Sequence, residues 1–230
     1  MPSPWVPLEA NPALFAAWCT KLGLDTSQYT FHDVFGLDDE LLAMVPQPAE
    51  AVLLLYPITS RSEAQREQED MNPPMPVAHM LWFPQTIGNA CGTIGLLHAI
   101  ANSRAWDAVG ADTPLAKLLT RARHVAPEER SRLLEASQEL STAHAAVAEQ
   151  GQTEAPDAQD DVNLHFVALV RSPTGQLVEL DGRRRGPLIR ANDVPADGLL
   201  PAAAHFIRAH YMAQDPEQVQ FSIVALGPSM

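Results

Sequence analysis

The residue of this chain best placed for nucleophilic chemistry is Cys91. It stands in Pro84-Gln85-Thr86-Ile87-Gly88-Asn89-Ala90-Cys91-Gly92-Thr93, which runs straight into the apolar segment Ile94-Gly95-Leu96-Leu97-His98-Ala99-Ile100-Ala101. That change of pattern predicts a helix N-terminus at Cys91, where free backbone N–H groups and the helix dipole favour a thiolate. A cysteine so placed falls from a pKa of about 8.5 to roughly 3.5–7.5, most of all beside an imidazolium. Gly92 lets the backbone come close to a bound chain. Gln85, six residues upstream, could aim its amide at an oxyanion, a contribution of about 3–4 kcal/mol where one such donor has been removed. Taken alone, the local pattern fits a small buried cysteine at least as well. Cys19, beside Trp18 inside an amphipathic helix, is read as core or inert surface.

A base is needed, and His165 offers one. It lies in Val162-Asn163-Leu164-His165-Phe166-Val167-Ala168-Leu169-Val170, a run apolar on both faces that predicts a strand inside a sheet. A buried imidazole needs hydrogen-bond partners. The following strand, Gln176–Asp181, is reached through Ser172-Pro173-Thr174-Gly175. A hairpin with Arg171 opposite Gln176 sets His165 against Gly182, with Asp181 its neighbour in the ladder. A one-residue change of register would bring His165 and Asp181 directly opposite. The hairpin therefore supplies the orienting half of a Cys–His–Asp triad, in which the carboxylate fixes the tautomer and the imidazole takes the thiol proton. A satisfied core histidine beside a turn aspartate is the competing explanation. His98 is seven residues from Cys91 on one helix, roughly 10 Å at about 1.5 Å per residue, too far for proton transfer. Arg183-Arg184-Arg185 reads as a solvated cluster with no assigned role.

Other elements must position these groups. Asn11-Pro12 and Gly23 bracket a helix over 12–22 with Leu14, Phe15, Trp18 and Leu22 at helical spacing. A short helix follows from Asp38 to Met44, a buried strand over Ala51–Tyr56, an exposed helix or arm over 60–70, and a proline-rich loop over Met71–Pro76. His79–Phe83 is predicted as a strand, Cys91–Ala101 as a buried helix, and Pro114–Arg123 and Pro127–Glu149 as helices. Glu149–Asp161 carries five acids, no base, and both Gly151 and Pro156, the composition of an exposed loop. Strands are expected at 162–171, 176–181 and 187–190, a helix near 199–213, and a last strand at Val219–Leu226. No repeat or clean linker interrupts the pattern, so one α/β domain over residues 1–230 is expected.

Composition narrows the function classes. The chain has 230 residues, 46% hydrophobic and 19% charged, enough for a sizeable core. Fifteen Lys and Arg against 28 Asp and Glu leave a formal charge of −13. Such a surface repels phosphate backbones, so nucleic-acid binding is not expected. Two cysteines are too few for a disulfide framework or a cysteine-rich zinc site. The opening MPSPWVPLEANP has neither a basic nor an apolar signal region, and the longest apolar run, Ala51–Ile58, is far short of the ~20 residues that span a bilayer. A soluble protein of a reducing compartment is expected, with no metal and no cofactor, since nucleotide-binding and zincin patterns are missing from the sequence.

Gln85, Cys91, His165 and Asp181, in that order, resemble a papain-like thiol hydrolase. The resemblance to the short ubiquitin C-terminal hydrolases is closer. It is carried by Trp5-Val6-Pro7-Leu8-Glu9-Ala10-Asn11-Pro12, Leu53-Leu54-Leu55-Tyr56-Pro57-Ile58, Gln85 through Gly95, Glu149 through Pro156, Asn163-Leu164-His165-Phe166 and Glu179-Leu180-Asp181-Gly182-Arg183. The single-domain isozyme L3 type, without C-terminal extensions, is the nearest pattern. The resemblance implies a papain-like α-β-α sandwich on a central, mainly antiparallel sheet, with a knotted backbone. It implies that Cys91 is the nucleophile, His165 the base and then the acid, and Asp181 its orienter. Gln85 and the Cys91 backbone N–H would form the oxyanion hole. It further implies that Glu149–Asp161 is an active-site crossover loop, with Gln150, Gly151, Gln152 and Thr153 near substrate, and that solvent-facing Trp5, Pro7 and Leu8 meet ubiquitin. Anchoring of the N-terminus into the domain explains these three residues equally well. The implied partner is ubiquitin or a ubiquitin-like protein such as Nedd8, whose basic C-terminal tail suits a −13 enzyme. A monomer of the cytoplasm or nucleus, acting in ubiquitin-dependent protein catabolism, is expected. A catalytically silent ubiquitin-binding module and a small-molecule acyl-transfer enzyme are the rival classes. Pro84 and Gly88 depart from the family's usual residues, and the 172–175 turn is slightly long.

Overall fold

The computed structural model describes residues 5–72, 77–151 and 163–230. Its first helix, α1 (Pro12–Leu22), forms as its sequence dictates: the Asn11 side chain accepts from the Ala13 and Leu14 N–H groups, proline occupies the first turn, and Gly23 ends the helix at φ 110°. Phe15, Trp18 and Leu22 form its buried stripe.

A six-stranded sheet in the order β1-β6-β2-β3-β4-β5 is antiparallel throughout. Its strands are β1 (Tyr29–Asp33), β2 (Ala51–Pro57), β3 (Leu164–Arg171), β4 (Leu177–Leu180), β5 (Leu188–Ala191) and β6 (Ser222–Pro228). β2 and β3 lie at its centre, and their apolar runs serve two cores. Leu53, Phe166, Ala168 and Val170 face a layer with α1, α4 (Cys91–Ala101), α5 (Pro114–Ala122), α6 (Pro127–Glu135) and α7 (Gln138–Ala148). Val52, Leu54, Tyr56, Val167 and Leu169 face α8 (Leu199–Phe206) and the short α2 (Asp39–Leu42). The sandwich is therefore α-β-α, and burial on both faces is why β2 and β3 read as continuous hydrophobic segments rather than alternating ones.

Four expectations change. Residues 79–83 form no strand: His79 takes φ 65°, and side chains rather than a ladder satisfy the backbone. Leu81 N–H donates to Asn102 and Phe83 N–H to His98 Nε2 at 2.9 Å. The helix predicted over Pro127–Glu149 is two, because Ser137 caps the start of α7 by accepting from Leu140 N–H. The helix near 199–213 is α8 followed by a π-helical turn, Ile207–Met212. The arginine cluster is not uniformly solvated, since the Arg184 side chain is only 5% exposed. β1, whose residues no sequence signal singled out, adds a sheet edge through pairing with β6.

The helix over 60–69, α3 (Ser60–Glu69), has no buried residue. Its Thr59–Ser62 capping box is complete, but its attachment to the body is largely ionic. Most of the predicted 71–76 loop and of the Glu149–Asp161 segment, with Gln152 and Thr153, lies outside the described residues. Among the described residues no helix is long and apolar enough to cross a membrane.

Candidate active site

α4 begins at Cys91, as the pattern change implies. Asn89 turns the chain into the helix at φ 60°, a left-handed conformation that asparagine tolerates better than most residues. Ala90 at the N-cap offers no side-chain acceptor, so the first N–H groups stay available. Close packing then seats the helix: a Cβ on Gly92 would meet Leu8 at 3.0 Å, and one on Gly95 would meet Leu53 at 3.0 Å. Cys91 is half-buried, whereas Cys19 is fully buried. The two thiols diverge accordingly, with burial alone pushing Cys19 well up.

β3 carries His165 to the same place. The β3–β4 ladder pairs Ala168 with Leu180 and Arg171 with Leu177, one residue away from the expected hairpin register. The extra turn residue arises because Ser172 N–H donates to Gln176 O and the Ser172 hydroxyl also accepts from Gln176 N–H. Continued by one step, the ladder would set Asp181 opposite Val167, on the same face as His165 and diagonal to it, within reach of long side chains. His165 Nε2 meets Asp181 Oδ1 at 2.7 Å, with both groups buried. β4 ends at Leu180, so β3 runs on past it. Cys91 lies there, close enough to His165 and to the backbone of Phe166 and Gly92 for these groups to bring its thiol below the ordinary value. With Nε2 held by the carboxylate, Nδ1 is the ring nitrogen left for the thiol.

The electrostatics follow from these contacts. Burial opposes the charged form of each group, but is outweighed. Asp181, by its charge and its hydrogen bond, and then Cys91 hold His165 up at about 9. His165 and the Phe166 and Gly92 backbone bring Cys91 below its ordinary value. His165, the Arg183 N–H and Arg184 do the same for Asp181. The contacts favour a thiolate–imidazolium pair steered by a carboxylate, and such a pair can attack a carbonyl and then protonate a leaving amine.

Supporting groups fix the orientation. Trp82 Nε1 donates to the Asp181 carbonyl at 2.8 Å, and Arg183 N–H to Asp181 Oδ1 at 2.8 Å. Tyr56, opposite His165 in the β2–β3 ladder, stands edge-on to its ring with centroids 5.8 Å apart. The Trp82, Tyr56 and Phe166 contributions escape sequence reasoning. Trp82 sits in the segment misread as a strand, and a backbone N–H leaves no mark on residue type.

Gln85 is held beside this group. Its N–H donates to Gly182 O at 2.8 Å, and a Cβ on Gly182 would lie 2.9 Å from Gln85 Cβ and 3.2 Å from Ile94. Glycine directly after Asp181 thus permits the Gln85 loop and α4 to close around the carboxylate. Gln85 Nε2 makes a long bond of 3.3 Å to Ile87 O, and its Oε1 is buried without a hydrogen-bond partner. A side chain so weakly engaged is free to turn its amide to an oxyanion.

The remaining sequence-predicted positions divide. Trp5 and Pro7 are half-buried, and Leu8 is buried at 5% exposure against Gly92. Leu8 is therefore not solvent-facing but takes the anchoring alternative: glycine at 92 leaves a hollow that its side chain fills. Trp5 N–H donates to Gly88 O, and its ring lies 4.4 Å from that of His144. His144 bridges the Val6 carbonyl and the Thr93 hydroxyl, so the N-terminal block is tied to the start of α4. Gln150 is exposed, and Gly151 is half-buried. His98 is fully buried, and that burial brings it down to about 4, so it stays a neutral acceptor for Phe83. Among the described residues no cluster of His, Cys, Asp or Glu could hold a metal ion.

Residues 5–212 match the family model for ubiquitin carboxyl-terminal hydrolase, family 1. The chain belongs to this family. A ubiquitin carboxyl-terminal hydrolase from Aplysia californica is 40% identical over 93% of this chain and 97% of its own length. Ubiquitin carboxyl-terminal hydrolase 3 of Arabidopsis thaliana is 38% identical over 97% of this chain and 94% of its own, and human isozyme L1 is 37% identical over 96% of each. The hydrolase fold extends to a solved structure, the catalytic domain of Trichinella spiralis UCH37 bound to ubiquitin vinyl methyl ester. That domain superposes with a TM-score of 0.77 over 98% of this chain and 96% of its own, at 19% identity.

Proposed function

We propose that this thiol-dependent deubiquitinating hydrolase releases small adducts or short peptides from the C-terminal glycine of ubiquitin through an acyl-enzyme on Cys91. The observation that carries the reading is the buried His165–Asp181 pair at 2.7 Å, whose imidazole brings the thiol of Cys91, at the start of α4, below its ordinary value. Cys91 Sγ attacks the glycine carbonyl, and the oxyanion takes hydrogen bonds from the Cys91 N–H and the Gln85 amide. The Nδ1 proton of His165 passes to the leaving amine as the C–N bond breaks. His165 then takes a proton from water, whose hydroxyl displaces the thiolate and frees the glycine carboxylate. Trp5, Pro7, Gln150, Gly151, Gln152 and Thr153 are proposed to meet substrate, and Leu8 to act from beneath by seating α4. The proposal extends to a monomeric enzyme of the cytoplasm or nucleus, serving ubiquitin-dependent protein catabolism and accepting ubiquitin-like proteins such as Nedd8. Two free thiols suit a reducing compartment.

The deciding test is intact mass after mixing with ubiquitin that bears a C-terminal electrophile. One ubiquitin added to the wild type and none to Cys91→Ala supports the reading. No adduct, with Cys91 still alkylated by iodoacetamide, assigns the thiol a different substrate. A silent binding module, the rival reading, would show no alkylation advantage of Cys91 near neutral pH.

Two further outcomes are expected. Gln85→Ala lowers kcat by about 10²–10³, as loss of one oxyanion donor does elsewhere, with KM little changed; an unaltered kcat removes Gln85 from the oxyanion hole. The pH dependence of kcat/KM has a rising limb below the ordinary thiol range, as Cys91 loses its proton, and a falling limb near pH 9, as His165 loses the proton it must donate. A falling limb near pH 6.5 instead would show that Asp181 does not hold the imidazolium.

A further inference from the structure

Asp181 has one well-held oxygen and one that is not. Oδ1 accepts from His165 Nε2 and from the Arg183 N–H. Oδ2 is buried and has no hydrogen-bond partner. Among the described residues, the cation within ion-pair reach of Oδ2 is Arg184, whose Nε lies 3.8 Å away. That Nε is itself buried and unpartnered, and so is Glu179 Oε1, 3.7 Å from it. One donor and two acceptors face one another just beyond hydrogen-bond distance.

The rest of the Arg184 side chain is tethered elsewhere. Nη2 pairs with Glu69 Oε2 at 2.9 Å, and Nη1 reaches Asp70 Oδ1 at 3.4 Å and the Arg66 carbonyl at 3.2 Å. Both acids belong to α3 and its C-cap. Arg190 closes the circuit, bonding Glu69 at 2.8 Å and Glu179 at 2.9 Å, while Arg183 pairs with Glu63 at 2.7 Å. α3 contributes no buried residue, so these pairs, with the polar contacts of Gln65 to His210 and of Arg61 to the Gln214 carbonyl, seat it. A planar guanidinium suits this place because its fork can hold α3 while Nε faces the strand, which a point-like ammonium cannot do.

We propose that Arg184 is a positioning residue whose Nε–H holds Asp181 Oδ2 in the working enzyme, with Glu69 and Asp70 of α3 fixing the guanidinium. Without it the carboxylate is held through Oδ1 alone, by His165 and the Arg183 N–H, and with nothing fixing Oδ2 the Oδ1 bond to His165 loses part of its direction. α3, remote from Cys91 in sequence, thereby takes part in aligning the dyad. The proposal rests on the triad reading above.

The test is a double-mutant cycle with ubiquitin bearing a C-terminal fluorogenic amide. Arg184→Gln lowers kcat about tenfold, the lower end of what removing partners that orient metal ligands costs, while KM stays within about twofold. In the Asp181→Asn background the same substitution changes kcat by less than about twofold, because the group it acts through is gone. Equal losses in both backgrounds, or no loss in the first, overturn the proposal and leave Arg184 as a staple for α3. Should Arg184→Gln fail to fold, Arg184→Lys carries the same cycle: it keeps the charge and lacks the fork, so a smaller loss confined to the Asp181 background is expected. Retained turnover in Cys91→Ala would instead refute the triad, a result this cycle cannot mimic.

Discussion

Cys91→Ala should eliminate turnover, by about a millionfold where the comparable nucleophile has been removed from a triad, while ubiquitin still binds. The substitution removes one sulfur from a half-buried helix start and leaves α4 packed through Ile94, Leu96, Leu97 and Ile100, all essentially buried. Its thermal midpoint should therefore match the wild type. Binding survives because the thiol contributes attack, not recognition. Titration of ubiquitin into the variant, followed by calorimetry, measures the one, and a fluorogenic ubiquitin amide measures the other. Turnover at the wild-type rate would place the nucleophile elsewhere, and Cys19, buried with its thiol pushed well up, could not replace it.

The second large effect belongs to Asp181→Asn. An amide of the same shape keeps an oxygen for the Arg183 N–H and leaves the packing intact, but it withdraws the charge that holds His165 up at about 9. Two consequences follow. kcat falls by about 10³–10⁴, as for triads whose carboxylate becomes an amide and whose histidine takes the wrong tautomer. The falling limb of the pH profile moves to lower pH, because the imidazolium loses its counter-charge while burial continues to oppose it. A wild-type kcat with an unmoved limb would show that His165 is oriented by something other than Asp181. Stopped assays from pH 6 to 10 read both quantities from one set of variants.

How far each element could be anticipated depended on whether its cause was local. α1 and α4 could be read because caps, proline, glycine and a change in hydrophobic pattern lie within a few residues of each boundary. β2 and β3 could be read because burial on both faces leaves a continuous apolar run. Residues 79–83 look equally apolar and are equally buried at Leu81, Trp82 and Phe83. They are not a strand because Asn102 and His98, residues of the α4 end of the chain, take their backbone hydrogen bonds. The break between α6 and α7 turned on a single serine cap, a weak signal inside a helical pattern. The hairpin register missed by one residue because the Ser172 side chain competes for backbone partners in the turn, a choice that residue types alone do not decide.

By itself, the sequence determined the chemical inventory: a cysteine at a helix start, a histidine in a central strand, an aspartate after the next strand, and a glutamine upstream. It also determined the family, since its motifs run in order along the chain. Only the tertiary structure decided that these groups meet. Cys91 and His165 come from segments more than seventy residues apart, joined because α4 packs on the face of β2 and β3, with Gly95 against Leu53 and Phe166. The structure alone turned Leu8 inward against a glycine, and Arg184 from a surface charge into a buried clasp. The physical reason is common to all three. Residue type fixes what a group can donate, accept or exclude from water, but partners distant in sequence fix whether it is buried and what it faces.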